Sequence, residues 1–144
     1  MSYLVGHFDR CTGCSLCQLA CSERLHGGYN PHRSVLRIRS ERENLYHLPV
    51  VCHQCSNPFC LKACPVQAIR VDEATGAKKV DREKCIGCGT CVRYCPLGVI
   101  FIDPESGKSC KCDLCDGEPK CVGACPTGAL EMISGSEGKG AAHA

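Results

Sequence analysis

The sequence predicts an α+β fold of short β-hairpins and short helices, gathered around something other than a side-chain core. Three observations lead there. Of 144 residues, 17 are cysteine, none is tryptophan, and three phenylalanines and four tyrosines supply all the aromatic bulk. Without its cysteines the chain has a thin apolar complement for one domain of this length. The cysteines fall in four tight clumps, and short strand-like stretches bounded by glycine, proline and aspartate run between the clumps.

The elements follow in order. Residues 34–40 (SVLRIRS) and 45–51 (LYHLPVV) read as a hairpin. Residues 68–72 (AIRVD) form a strand, 73–77 (EATGA) a turn, and KKVD returns. After the third clump, VIFID is a strand and PESGK a turn. Gly and Asp punctuate the last two of these connections. Each cysteine loop leads into a short helical turn. The tail 134–144 (SGSEGKGAAHA) is small and polar and is expected to be a flexible end.

The cysteine clumps repeat. The first is Cys11, Cys14, Cys17 and Cys21; the second is Cys52, Cys55, Cys60 and Cys64. The third is Cys85, Cys88, Cys91 and Cys95; the fourth is Cys112, Cys115, Cys121 and Cys125. All four end in C-x3-C. Clumps one and three have x2, x2, x3 spacing, and two and four widen the middle gap. Pro65, Pro96 and Pro126 follow the last cysteine in three of them, whereas the first has Ser22 there.

Such spacing suits thiolates holding [4Fe–4S] cubanes. A loop with thiolates three residues apart wraps one cubane and offers it three sulfurs. Its backbone N–H groups must come close to the inorganic sulfurs. Gly13, Gly87 and Gly89 keep side chains out of the way and permit positive φ. The fourth cysteine lies past the loop, where a short helix can start, and ligates the cluster of a partner motif. Sixteen cysteines then make four cubanes.

Competing readings fit less well. A disulfide framework spreads its cysteines and uses an even number, and the N-terminal MSYLVGHFDRC carries no signal-peptide pattern. Zinc takes four ligands from two separated pairs and has no use for a third cysteine in step. The C-x3-C-x2-C of radical-SAM sites is absent. The seventeenth cysteine, Cys110, is expected to be a small buried or surface thiol; the alternative is that it replaces Cys112 as ligand. His53, beside Cys52, is expected to be packed or hydrogen-bonded, because no cysteine is lacking for a histidine to replace. Arg33, Arg37, Arg39 and Arg42 are candidates for offsetting cluster charge or for docking, against the plainer expectation of a solvated strand. Near-neutral charge and the lack of an aromatic stacking set argue against nucleic-acid binding. No stretch approaches the roughly 20 apolar residues of a membrane span. A cytoplasmic location is expected.

To about residue 133 the chain resembles the four-cluster iron–sulfur subunits of the dimethyl sulfoxide reductase electron-transfer family. The short form is most similar to the small iron–sulfur subunit of tungsten-dependent aldehyde oxidoreductases. The resemblance implies a single polyferredoxin domain of two bacterial-ferredoxin-like modules. The outer module would span roughly 1–47 plus 105–133, and the inner roughly 48–104. It also implies a nested pairing. Cys11, Cys14, Cys17 and Cys125 would hold one cluster, and Cys21, Cys112, Cys115 and Cys121 the next. Cys52, Cys55, Cys60 and Cys95 would hold the third, and Cys64, Cys85, Cys88 and Cys91 the fourth. From the residues alone, pairing clump one with two and three with four is also open.

The formal charge of +2 changes on loading. Each cubane with four thiolates carries about −2, which takes the chain to about −6. No nucleophile with its base, phosphate loop or flavin site is recognisable, so no catalytic residue is expected. The reading is an electron wire. The family resemblance makes it a permanent subunit between a molybdenum- or tungsten-pterin catalytic subunit and a flavin subunit or ferredoxin. The alternatives are a free polyferredoxin and a zinc-stapled interaction protein.

Overall fold

The computed structural model describes residues 1–135. The chain starts with β1 (Ser2–Gly6) and α1 (Leu16–His26). A 3-10 turn at Pro31–Arg33 leads into β2 (Arg37–Glu41) and β3 (Tyr46–Val50). Then come α2 (Phe59–Ala63), β4 (Ile69–Val71), β5 (Lys78–Val80) and α3 (Thr90–Tyr94). Two short strands, β6 (Phe101–Ile102) and β7 (Ser109–Cys110), precede a tight turn at Leu114–Gly117. The described chain closes with α4 (Lys120–Ala124) and β8 (Leu130–Ser134).

The strands form four separate antiparallel ribbons: β1 with β8, β2 with β3, β4 with β5, and β6 with β7. The two expected local pairings are present, and the strand expected after the third clump pairs with Ser109–Cys110. Arg37 stands opposite Val50, Ile69 opposite Val80, and Phe101 opposite Cys110. Two of their turns share one device. Asp72 accepts from the Thr75 N–H and hydroxyl, and Asp103 accepts from the Ser106 N–H and hydroxyl. Each side chain thereby mimics a backbone turn, with Gly76 and Gly107 supplying positive φ.

The β1–β8 ribbon was not expected. It pairs Ser2 with Ser134 and Gly6 with Leu130, so Ser134 ends a strand rather than beginning a loose tail. The rest of the expected flexible end, 136–144, lies outside the described residues.

The helices also differ from expectation. Each begins one residue before the third cysteine of its clump, not at the fourth. Cys17, Cys60, Cys91 and Cys121 are the second residues of α1, α2, α3 and α4. Cys64, Cys95 and Cys125 are the C-caps that end α2, α3 and α4. The following prolines cannot donate an N–H and cannot continue the helix. Ser22 can, so α1 runs on to His26 and stops at Gly27, whose φ is 71°. Ser22 is fully buried and its hydroxyl is used: it donates to the Leu19 and Gly28 carbonyls and accepts from the Asn30 N–H.

Helix α1 packs against α4, and α2 against α3. Around the first pair the core is built from Leu4, Val35, Leu36, Val51, Leu114 and Leu130, with Leu25 against it. Around the second pair the buried cluster is Ile69, Cys91 and Ile100, with Leu61, Val80 and Val92 packed against it.

Candidate metal centres

Each clump presents its first three cysteines on a loop that ends in a helix. The residue just before the second cysteine is left-handed in all four loops: Gly13 (φ 74°), Gln54 (φ 49°), Gly87 (φ 72°) and Leu114 (φ 58°). Gly89 is left-handed as well, at 74°. The two non-glycine residues bear a backbone cost of about 1–2 kcal/mol each. Both are nearly inaccessible to solvent. Leu114 uses its side chain to fill the core. Gln54 uses its side chain differently, as described below. After the fourth cysteine the same conformation recurs at Gln67, Gly98 and Gly128. In two of these turns it aims an N–H back at sulfur: Ala68 donates to Cys64 Sγ at 3.3 Å and Ala129 to Cys125 Sγ at 3.2 Å.

The loops and helices enclose four cavities; three are walled by four cysteines from two clumps, and the second by five, because Cys52 also reaches it. Cys11, Cys14, Cys17 and Cys125 line the first, with Ile38, Pro49 and Leu130. Cys21, Cys112, Cys115 and Cys121 line the second, with Leu4, Leu25, Val35 and Leu36. Cys52, Cys55, Cys60 and Cys95 line the third, with Phe59, Val99 and Ile100. Cys64, Cys85, Cys88 and Cys91 line the fourth, with Ile69, Val80 and Ile86. Their empty volumes, mouths included, are ≈ 300, 440, 380 and 320 Å³ respectively. Four thiols, apolar walls and N–H donors to sulfur are the donor set of a [4Fe–4S] cubane, and the residues present fit that group.

The helices make neighbours of the cavities. Cys17 and Cys21 stand one turn apart on α1, so one helix serves the first cavity and the second. Cys121 and Cys125 on and after α4 do the same in reverse. Cys60 and Cys64 link the third and fourth, as do Cys95 and Cys91. Four residues of helix rise about 6 Å. Cys52 lines both the second cavity and the third, which joins the two halves. At the outer ends Cys14 and Cys88 are exposed.

Burial governs the thiols. It pushes Cys17 up to about 11 and Cys121 up to about 12, with neighbouring thiols adding to the shift. Cys112 is also raised well above its ordinary value by burial. Exposed Cys88 is lowered, first by the Thr90 hydroxyl at 3.3 Å. Iron binding must therefore take protons from the buried thiols.

The remaining candidates separate cleanly. Cys110 is buried in β7, lines none of these cavities and receives the Arg82 guanidinium at 3.1 Å. His53 is half-buried and is not among the cavity-lining residues. Arg33 is neither a cluster cation nor a docking charge: it pairs with Asp103 at 2.6 Å and Glu105 at 3.0 Å. Arg37 lies over the Phe101 ring at 5.5 Å. Arg39 and Arg42 are exposed, as a solvated strand would have them.

Two lysines escaped notice in the sequence. Lys78 and Lys111 are only 5% and 6% exposed, and both line the third cavity. Lys111 Nζ donates to Cys52 Sγ and to Gln54 Oε1, each at 3.3 Å, and to the Cys112 carbonyl at 3.1 Å. Lys78 Nζ donates to the Gln54 carbonyl at 2.8 Å. Gln54 ties them together, its Nε2 donating to the Cys112 carbonyl and its Oε1 accepting from the Lys78 N–H. A lysine in isolation reads as surface, so only the left-handed backbone at Gln54 hints at this knot.

Comparison with known proteins gives concordant results. Residues 43–134 match the 4Fe-4S dicluster domain family, and residues 8–24 match a 4Fe-4S binding domain. The aliphatic sulfonate oxidoreductase polyferredoxin-like subunit of Pyrococcus furiosus is 41% identical, over 89% of this chain and 75% of its own. The formate dehydrogenase-O iron-sulfur subunit of Escherichia coli is 36% identical, over 85% of this chain and 49% of its own, so this chain spans about half of it. Among solved structures, a chain of the active site complex BamBC of benzoyl coenzyme A reductase superposes with a TM-score of 0.54. It is 26% identical, over 96% of this chain and 83% of its own.

Proposed function

The chain belongs to the 4Fe-4S dicluster domain family, and we propose that it is a four-station electron wire serving the catalytic subunit of an oxidoreductase complex. Its relatives are iron–sulfur subunits of such complexes, and it is an electron-transfer subunit rather than a catalytic one. The observation that carries the four-station reading is the set of four cavities, each walled by at least four cysteines. Nested ligation, three cysteines from one clump and the last cysteine of another, is the reading these walls support, with Cys52 assigned to the third cavity that it shares with Cys55, Cys60 and Cys95. A bound [4Fe–4S] cubane supplies reversible one-electron chemistry. The chain's own residues set the spacing between stations, exclude water with apolar walls, and steady sulfur with N–H donors such as Ala68 and Ala129.

The two modules correspond to the two helix pairs, α1 with α4 and α2 with α3. Exposed Cys14 and Cys88 mark where electrons enter and leave. The partner at one end is a molybdenum- or tungsten-pterin subunit, with tungsten favoured by the resemblance to aldehyde oxidoreductase small subunits. The other end serves a flavin subunit or a ferredoxin. No described helix is long and apolar enough to cross a membrane, and the proposed location is the cytoplasm.

Anaerobic affinity purification from the native host, with metals counted in the eluate, tests this. A co-eluting large subunit with tungsten or molybdenum, and about sixteen irons per copy of this chain, is the expected result. Elution alone with sixteen irons would leave a free polyferredoxin. Zinc in place of iron and acid-labile sulfide would overturn the wire altogether.

A further inference from the structure

We propose that Lys78 and Lys111 are the built-in counter-charges of the centre held by Cys52, Cys55, Cys60 and Cys95, and make it the most positive of the four stations. This rests on the iron–sulfur reading above. Two ammonium groups are buried against one cavity, and among the described residues neither is ion-paired with a carboxylate. Burying unpaired charge is strongly unfavourable. The anionic groups that lie against them are the sulfurs of that site, with Lys111 Nζ 3.3 Å from Cys52 Sγ.

The other three cavities are lined by no lysine or arginine, and the second is lined instead by Asp113. The asymmetry is therefore specific to one station. Reduction adds one negative charge at the site and moves no proton there. Two fixed positive charges in a low-dielectric wall favour that added charge more than apolar walls do. An electron passing along the wire then rests at the third station, next to the junction that Cys52 forms between the two halves.

The test is a potentiometric titration, monitored by electron paramagnetic resonance, of the anaerobically purified full chain with its partner subunits. Lys111→Met, Lys111→Arg and Lys78→Met are compared with the unsubstituted protein. The third station is assigned as the couple displaced in Cys55→Ser. The expected result is that this couple is the highest of the four. Poised at the midpoint of this couple in the unsubstituted protein, Lys111→Met should show a reduced-to-oxidised ratio at least tenfold lower, about 59 mV for a one-electron couple. Lys78→Met should act in the same direction, and it carries the test alone if Lys111→Met does not assemble. Lys111→Arg should stay near the original ratio, because it keeps the charge. The proposal is overturned if the assigned couple is not the highest, if it fails to move, or if Lys111→Arg falls as far as Lys111→Met. Iron well short of sixteen in the unsubstituted protein would sink the four-cluster reading instead. Sixteen irons with an unmoved couple would sink this inference alone.

Discussion

Helices α1 and α2 begin alike and end differently. Each sets a cysteine in its second position and another four residues on. Pro65 ends α2 at Cys64, whereas Ser22 lets α1 run five residues past Cys21. The extra turn and a half carries Leu25 onto a core that includes Leu4, Val35, Leu36 and Leu130. The α2–α3 region has no comparable set; its fully buried cluster is Ile69, Cys91 and Ile100. Equal ligand sets thus sit in unequal packing. The α1–α4 region is held by a broad aliphatic core, and the α2–α3 region by a smaller one.

Iron removal should expose that difference most strongly. Under anaerobic chelation, amides of α2, α3 and the β4–β5 ribbon should lose hydrogen-exchange protection completely. The β1–β8 ribbon and the first turns of α1 should keep part of theirs. Simultaneous loss in both regions would break the comparison.

Interchanging the residues after the fourth cysteine sharpens it. Ser22→Pro places proline inside α1 and removes a buried hydroxyl with three hydrogen bonds. A loss of about 3 kcal/mol or more is expected in denaturant unfolding of the loaded protein. Pro65→Ser, at a position where the helix already ends, should cost less than about 1 kcal/mol.

A smaller contrast lies within one loop. Gly87 and Gly89 both have φ near 73°. A Cβ at Gly87 would sit 2.1 Å from the Gly107 carbonyl oxygen, while one at Gly89 meets nothing within 4 Å. Gly89→Ala should therefore cost about 1–2 kcal/mol, the left-handed penalty alone. Gly87→Ala should cost clearly more, and also loosen iron retention at Cys85 and Cys88. Equal effects in melting and iron release would show that the carbonyl yields.

The smallest effect concerns acid. Burial pushes the Asp103 carboxyl up, but the Ser106 hydroxyl and N–H and the Arg33 guanidinium outweigh it and hold it well below the usual carboxylate range. A group whose folded value is depressed contributes stability above its unfolded value, about pH 4, and loses it as pH falls further. Denaturation midpoints should decline between pH 5 and about pH 3 in the unsubstituted protein. Asp103→Asn should lower stability at neutral pH and flatten that decline by up to one proton.

Much of this was readable beforehand because it is local. The turns at Asp72–Gly76 and Asp103–Gly107 carry their own side-chain acceptors, and β2–β3 alternates within seventeen residues or so of itself. The cysteine spacings are local too, which is why every cavity-lining cysteine was identifiable. What escaped depends on distant partners. Ser2–Gly6 is a strand only because Leu130–Ser134 lies beside it. Gln54 adopts a glycine's conformation because Lys78, Lys111 and the Cys112 carbonyl satisfy its amide. Helix onset before the third cysteine went unread because Pro58 and Pro119 occupy the N-caps of α2 and α4 with no side-chain acceptor to announce a cap.

The β1–β8 ribbon has one more implication. Because Met1 donates its terminal ammonium to the Gly135 carbonyl at 3.3 Å, the two ends of the described chain lie side by side. A segment with adjoining ends behaves as a cassette. Residues 1–135 have the adjoining ends that insertion into a surface loop of a larger polypeptide requires, and such insertion would leave the four cysteine-lined cavities unstretched. The same hydrogen-bonded clasp that closes the fold thus makes the wire portable between hosts.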